Sequence, residues 1–225
     1  MATTAAAFFD LDKTIIATSS AFAFGKEFLN SGMITRQEAL EISLAKASYM
    51  LLGQSSEKMD STRDALAQMA AGWRVEDIQK ITTETMRTVV TPAIYAEARE
   101  LIRSHHEAGR EVIIISASAS ILVEPIAGEL GVDTVVATEL EVQGGALTGR
   151  VTRYLKGEAK ADAVRRFAAE RGYDLAASYA YSDSATDIPM LALVGHPVAV
   201  NPDRALKKYA MHSGWGVLSF KNPEP

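Results

Sequence analysis

Asp10 and Asp12 stand two residues apart where an apolar run, Ala5 to Phe9, gives way to Leu11, Lys13 and Thr14. If that run is a strand, side-chain alternation turns both carboxylates the same way, roughly 6–7 Å apart along the backbone. Two acids aimed together at the end of a buried strand repel each other. A divalent cation relieves that repulsion, and an aspartate can also form a covalent bond to a transferred group. A turn after a strand selects Asp as well, because its side chain bonds to nearby backbone. The chemistry therefore turns on whether matching groups recur at other strand ends.

They recur. The run Val112-Ile113-Ile114-Ile115 reads as a fully buried strand and is followed by Ser116, Ala117 and Ser118. A strand over Ser178–Tyr181 is followed by Ser182 and Asp183, with Asp187 four residues further on. Lys160 falls in the first turn of the helix predicted over about 158–171, just before that strand. In open α/β sheets, ligands bind just beyond the carboxyl ends of the strands, where all of these residues fall. Each has a plainer reading. Ser116 could be a loop hydroxyl, and Asp187, just before Ile188-Pro189, could be a helix N-cap. Lys160 opposes the macrodipole of its own helix unless an anion lies beside it, and Lys156 is a rival four residues earlier.

The elements that must position these groups fall into two kinds. Residues 17–90 contain no convincing strand. Apolar positions recur there at helical spacing: Phe24 and Phe28; Leu40, Leu44, Ala47 and Leu51, stopping at Gly53; Met59, Thr62, Leu66, Met69 and Trp73, near Gly72; and Val75, Ile78 and Ile81. The pattern predicts a small helical bundle. From Pro92 onward helices and strands alternate. A helix through Ile94, Ala98 and Leu101 ends at Gly109, and another over Ile121–Leu130 ends at Gly131. Strands follow at Thr134–Ala137 and Pro197–Val200, a hairpin over 139–153 turns at Gly144-Gly145, and a short helix follows Pro189. Alternation of this kind implies a Rossmann-like, doubly wound parallel sheet covered on both faces. The expected organisation is an α/β core of residues 1–16 and 91–225, interrupted by a helical cap of residues 17–90. The tail Lys221–Pro225 is expected to fray. His105 falls on the apolar face of its helix and reads as a partly buried structural residue, His106 and His212 as solvated, and His196 as a loop residue.

Composition narrows the function. The 225 residues carry a net charge of −5, which does not suit a general nucleic-acid footprint. There is no cysteine, so thiolate metal sites, disulfides and a cysteine nucleophile are excluded. No apolar stretch approaches the length of a membrane span, and nothing before Asp10 has the charged start and long apolar core of a signal peptide. A soluble, cytoplasmic protein with no stable membrane association is expected.

Taken in order, the segments FFDLDKT at 8–14, VIIIS at 112–116, GEAK at 157–160 and YSDSATD at 181–187 resemble those of the haloacid dehalogenase superfamily. The likeness is to its subfamily IB branch, which includes the phosphoserine phosphatases, and extends over nearly the whole chain with its helical insertion. It implies a Mg²⁺-dependent phosphomonoesterase acting on a small-molecule phosphate ester. Asp10 would attack phosphorus to give an aspartyl-phosphate, and Asp12 would act as general acid and then general base. Mg²⁺ would be held by Asp10, Asp183 and the backbone carbonyl of Asp12, with Asp187 at its outer shell. Ser116 and Lys160 would hold the phosphoryl oxygens, with Thr14, Ser19 and Ala117 in the same substrate site. The chain departs from phosphoserine phosphatases where they carry an acid soon after the first motif. Here Ile15 to Ser20 is neutral, and the next acid is Glu27. Ala117-Ser118 also replaces a glycine-rich turn. Two alternatives stand beside the phosphomonoesterase: a phosphoserine phosphatase proper, and a phosphate-binding or phospho-acceptor signalling module without turnover.

Overall fold

The computed structural model describes residues 4–41, 56–221 and 223, with the backbone alone for 56–62. The strands are β1 (Ala6–Phe9), β2 (Glu111–Ala119), β3 (Thr134–Gln143), β4 (Ala146–Arg153), β5 (Tyr179–Ser182), β6 (His196–Val200) and β7 (Gly216–Leu218). The helices are α1 (Ser20–Asn30), α2 (Ser56–Met69), α3 (Val75–Thr85), α4 (Ala96–Glu107), α5 (Ser120–Glu129), α6 (Glu158–Arg171), the single turn α7 (Ile188–Leu191) and α8 (Arg204–Ser213).

The strands form one seven-stranded sheet in the order β4-β3-β2-β1-β5-β6-β7. All neighbours run parallel except the β3–β4 hairpin. Its turn is Gly144-Gly145, with φ of 58° and 79°, a pair of positive values that glycine supplies without steric cost. The fold is therefore the expected α/β sheet with helices inserted between β1 and β2.

The uninterrupted apolar run of β1 follows from burial on both faces. Ala7 and Phe9 join one apolar cluster with Val112 and Ile114, beneath α4 and α5. Ala6 and Phe8 join the opposite cluster with Ile113 and Ile115, beneath α6, α7 and α8. Strand alternation thus sorts each residue to its layer. Among the described residues, the inserted helices share one core with the sheet. Phe24, Phe28, Ile34, Ala70, Ile78 and Met86 belong to the same cluster as Ile114. Phe28 packs on Trp73 at 5.1 Å between ring centroids. Residues 72–75 also run beside the hairpin: Gly72 N–H donates to Leu147 O at 2.8 Å, and Leu147 N–H returns a bond to Trp73 O at 2.9 Å.

Several local expectations change. β2 continues past Ile115 to Ala119, with an irregular register between Ser116 and Ala119. His196 is the first residue of β6, its ring stacked on Tyr179 at 4.4 Å. His105 is fully buried rather than partly so. Lys221 is not frayed: its N–H donates to Glu97 at 3.0 Å, and Pro223 pairs with Tyr95. Leu44, Ala47, Leu51 and Gly53 lie outside the described residues, as do the side chains of Met59 and Thr62. No helix among the described residues is long and apolar enough to cross a membrane.

Candidate active site

β1 is the point where the chain's winding reverses: β2 and β3 lie on one side of it, β5 and β6 on the other. A crevice forms beyond the carboxyl end of such a strand. Asp10 is the first residue into it, still paired to β5 through its N–H to Tyr181 O at 2.9 Å. Its place in the alternation puts it on the Phe8 face, the face that α6 covers.

The N-cap of α6 is Gly157, whose φ of 58° and ψ of −121° lie where only glycine is at ease. Two residues into the helix, Lys160 turns inward and is 2% exposed. Its Nζ donates to Asp10 Oδ1 at 2.6 Å and to Asp187 Oδ2 at 2.6 Å. These partners explain a lysine in a first helical turn, since the two carboxylates outweigh the unfavourable dipole. Lys156, four residues earlier, has its Nζ 6.0 Å from the Tyr154 ring centroid.

Asp187 occupies the N-cap position of α7, yet its side chain makes no capping bond. Its Oδ2 instead accepts from Lys160 and from Ser182 Oγ, the latter at 2.8 Å. The loop carrying Asp183 is pinned on its far side. Asp183 O accepts from Asp203 N–H at 2.8 Å, and the Asp203 carboxylate takes the N–H groups of Ala185 and Leu206.

After Asp10 the chain turns around one carbonyl, since the N–H groups of Ile15 and Ile16 both point to Leu11 O at 2.9 and 3.1 Å. Lys13 takes up the left-handed conformation this turn requires, at φ 61°. Thr14 is buried, and its hydroxyl donates to Asp10 Oδ2 at 3.3 Å. Asp12 lies across buried Leu11 from the Lys160 cluster. Its Oδ1 accepts from Ser20 N–H at 2.9 Å, at the start of α1, and its Oδ2 from Ser118 Oγ at 2.8 Å. Ser116 is buried at the irregular end of β2, where its Oγ accepts from Ser118 N–H at 3.1 Å. Ala117 O is held by Thr138 Oγ1 at 2.7 Å. Ser19 is the N-cap residue of α1, half-buried, with no capping bond from its side chain.

The structure thus joins Asp10, Thr14, Lys160 and Asp187 by direct bonds, bonds Asp12 to Ser118 at the irregular end of β2, and puts Ser19 at the N-cap of α1. The sequence placed Ser118 and Ser182 at strand ends but gave them no role, and it did not single out Ser20 or Asp203. Only Ser182 carried a signal, as the last strand residue before Asp183.

Burial pushes the Asp10 carboxyl up to about 7; Lys160 opposes the rise, and Asp187 adds to it. Burial likewise lifts Asp183 to about 8, reinforced by the charge of Asp10 and opposed by Lys13. Burial works against the charge of Lys160, but Asp10 and Asp187 prevail and raise its pKa. His105 belongs to a separate structural network. Arg110 Nε donates to its Nδ1 at 3.1 Å, leaving Nε2–H for Tyr181 Oη at 2.8 Å, and burial lowers its pKa to about 4.

Among the described residues, Asp10, Asp183 and Asp187 face two ammonium groups, Lys160 buried between Asp10 and Asp187 and Lys13 acting on Asp183 from its exposed turn. This negative excess, made of oxygen donors alone, suits a hard divalent cation. Among the described residues no three acidic or histidine side chains form a ready cage.

The family model for haloacid dehalogenase-like hydrolases matches residues 7–192. The chain is 48% identical over 219 residues to the "Inhibition of morphological differentiation protein" of Streptomyces azureus, covering 97% of this chain and 79% of that one. It is 38% identical to a phosphoserine phosphatase of Mycobacterium tuberculosis, covering 97% and 71%. It is 34% identical to a histidinol-phosphatase of Neisseria meningitidis, covering 96% and 98%. A substrate-bound phosphoserine phosphatase structure superposes with a TM-score of 0.71 at 21% identity, covering 100% of this chain and 96% of that one.

Proposed function

The chain belongs to the haloacid dehalogenase-like hydrolases and is a phosphatase of that family, and from that premise we propose that it hydrolyses the phosphate monoester of a small primary alcohol through a phosphorylated Asp10. An Asp10 oxygen attacks phosphorus as the bond to the ester oxygen breaks, and the electron pair leaves with that oxygen. Asp12 gives the departing alkoxide its proton. Asp12, now a carboxylate, takes a proton from water as that water attacks phosphorus, and Asp10 and inorganic phosphate are released.

Phosphoryl transfer asks the protein chiefly for positioning and charge neutralisation. Lys160 favours the ionised, attacking form of Asp10 and lies close enough to meet the phosphoryl oxygens. Ser116 and the Ala117 backbone would supply donors from the β2 side. Asp10, Asp183 and the Asp12 carbonyl would hold Mg²⁺, with Asp187 orienting its outer shell; the ion would neutralise phosphoryl charge and the mutual repulsion of the acids. The helices of residues 17–90 would act as the cap, excluding water other than the attacking one.

The observation that carries this reading is Lys160, buried between Asp10 and Asp187 from two other elements at 2.6 Å each. The choice of ester rests on the relatives' names, since phosphoserine and histidinol phosphate are both esters of primary alcohols. Residues 17–20 are neutral and offer no carboxylate to a substrate ammonium, which favours an ester without one. Inorganic phosphate release from a panel of metabolite phosphates with Mg²⁺ tests the proposal. Turnover lost in Asp10→Asn supports it, and turnover surviving that change defeats it.

A further inference from the structure

We propose that Ser118, backed by Ser20, is the residue that positions Asp12 for proton transfer; the inference rests on the reading of Asp12 as general acid. An aspartate on a turn has rotamers to choose among, and only some present the carboxyl to a leaving oxygen. Here both oxygens are held. Oδ1 accepts from Ser20 N–H at 2.9 Å, and Oδ2 from Ser118 Oγ at 2.8 Å. Ser118 is itself fixed, with its N–H on Ser116 Oγ at 3.1 Å and its Oγ accepting from Ser20 Oγ at 2.8 Å.

The direction of this chain follows from its end. The Ser118 hydroxyl has one proton and gives it to Asp12, so it must accept from Ser20. Ser20 is completely buried, which keeps water from competing for the bond. Hydroxyls aligned this way polarise one another. A carboxylate oxygen has room for two donors, so each Asp12 oxygen keeps one acceptor direction for the reacting proton. The brace also spans the two parts of the fold, since Ser20 opens the first inserted helix and Ser118 follows the sheet residue Ser116.

A merely structural hydroxyl pair would affect every substrate alike, whereas a brace on the proton donor would not. Proton donation matters where the leaving oxygen is strongly basic, as in an alkyl phosphate, and little where it is not, as in p-nitrophenyl phosphate. The ratio kcat/KM covers only the steps up to departure of that oxygen. Measured on the full chain with Mg²⁺, Ser118→Ala is expected to lower kcat/KM roughly 10- to 100-fold on an alkyl phosphate, the loss of one hydrogen bond to a charged group. On p-nitrophenyl phosphate the loss should stay within about threefold. Ser118→Thr keeps the hydroxyl and should recover most of the activity, and Ser20→Ala should show a smaller loss with the same preference. Equal losses on both substrates, no loss on either, or a folded Ser118→Thr as impaired as Ser118→Ala would overturn the brace alone. A wild-type chain inactive on both substrates would overturn the phosphatase reading and the brace with it.

Discussion

Replacing Lys160 by methionine leaves two buried carboxylates without their shared cation. Lys160, Asp10 and Asp187 have side chains 3%, 9% and 3% exposed, so water cannot take over the missing bonds. Removing one partner of a buried ion pair costs about 3–5 kcal/mol, because the charge left behind stays unpaired. A carboxyl escapes part of that cost by taking up a proton, which Asp10 is already disposed to do. With a pKa raised above its unfolded value, Asp10 binds more protons in the folded state than in the unfolded state between the two values. Stability linked to this group therefore falls as pH rises through that window. Losing Lys160 removes the opposing pull and widens the window upward. The deficit of Lys160→Met against wild type should be small near pH 5 and reach about 3 kcal/mol at pH 8. Urea unfolding of both proteins in EDTA at the two pH values measures it, and added Mg²⁺ should restore part of the loss by binding the folded state. A variant as stable as wild type at pH 8, or a deficit that ignores pH, would refute the idea that Lys160 offsets buried negative charge.

Asp12→Asn should slow turnover of alkyl phosphates at least a hundredfold. It should keep the Mg²⁺-induced rise in Tm, because only its carbonyl is assigned to the ion; a loss of that rise comparable to Asp183→Asn would contradict the assignment. His105, held neutral with a pKa lowered from 6.5 to about 4, should make the protein lose stability as pH falls from 6.5 to 4, up to about 3 kcal/mol. In His105→Gln the urea midpoint should vary less over that range, and an unchanged acid limb would show that another group carries it. Gly195→Ala would place its Cβ 1.8 Å from the Ala176 carbonyl oxygen and should cost about 3 kcal/mol. Gly128→Ala, in α5 with nothing within 4 Å, should instead gain about 0.5 kcal/mol by thermal unfolding.

What could be read from the residues was what their types constrain strongly. A lysine in a first helical turn and an acid five residues past a strand end are both locally ambiguous. Their shared position at the carboxyl edge of one sheet resolved them, and Asp187 proved to be a partner of Lys160 rather than a cap. Gly144-Gly145 located the hairpin because two consecutive positive φ values leave few other residues possible. Serines are different, because their meaning comes from neighbours distant in the chain. Ser118 and Ser20 lie 98 residues apart, and no local pattern ties them to Asp12. The irregular end of β2 was hidden for a related reason: Ser116 to Ala119 has no apolar run to advertise a strand. β7 was overlooked because all three of its residues are exposed, so it has no buried alternation to detect. The attachment of Lys221 depends on Glu97, in a helix that precedes β2.

The covalent bond at Asp10 is the centre of the account, and it can be trapped. Rapid acid quenching during turnover of an alkyl phosphate with Mg²⁺, followed by borohydride reduction, converts an aspartyl-phosphate to homoserine, which peptide mass spectrometry then places in the chain. Homoserine at position 10 is the expected result, and it should accumulate further in a variant slowed at Asp12. Phosphate release continuing with no reduced residue, or with the label on any other side chain, would contradict the account.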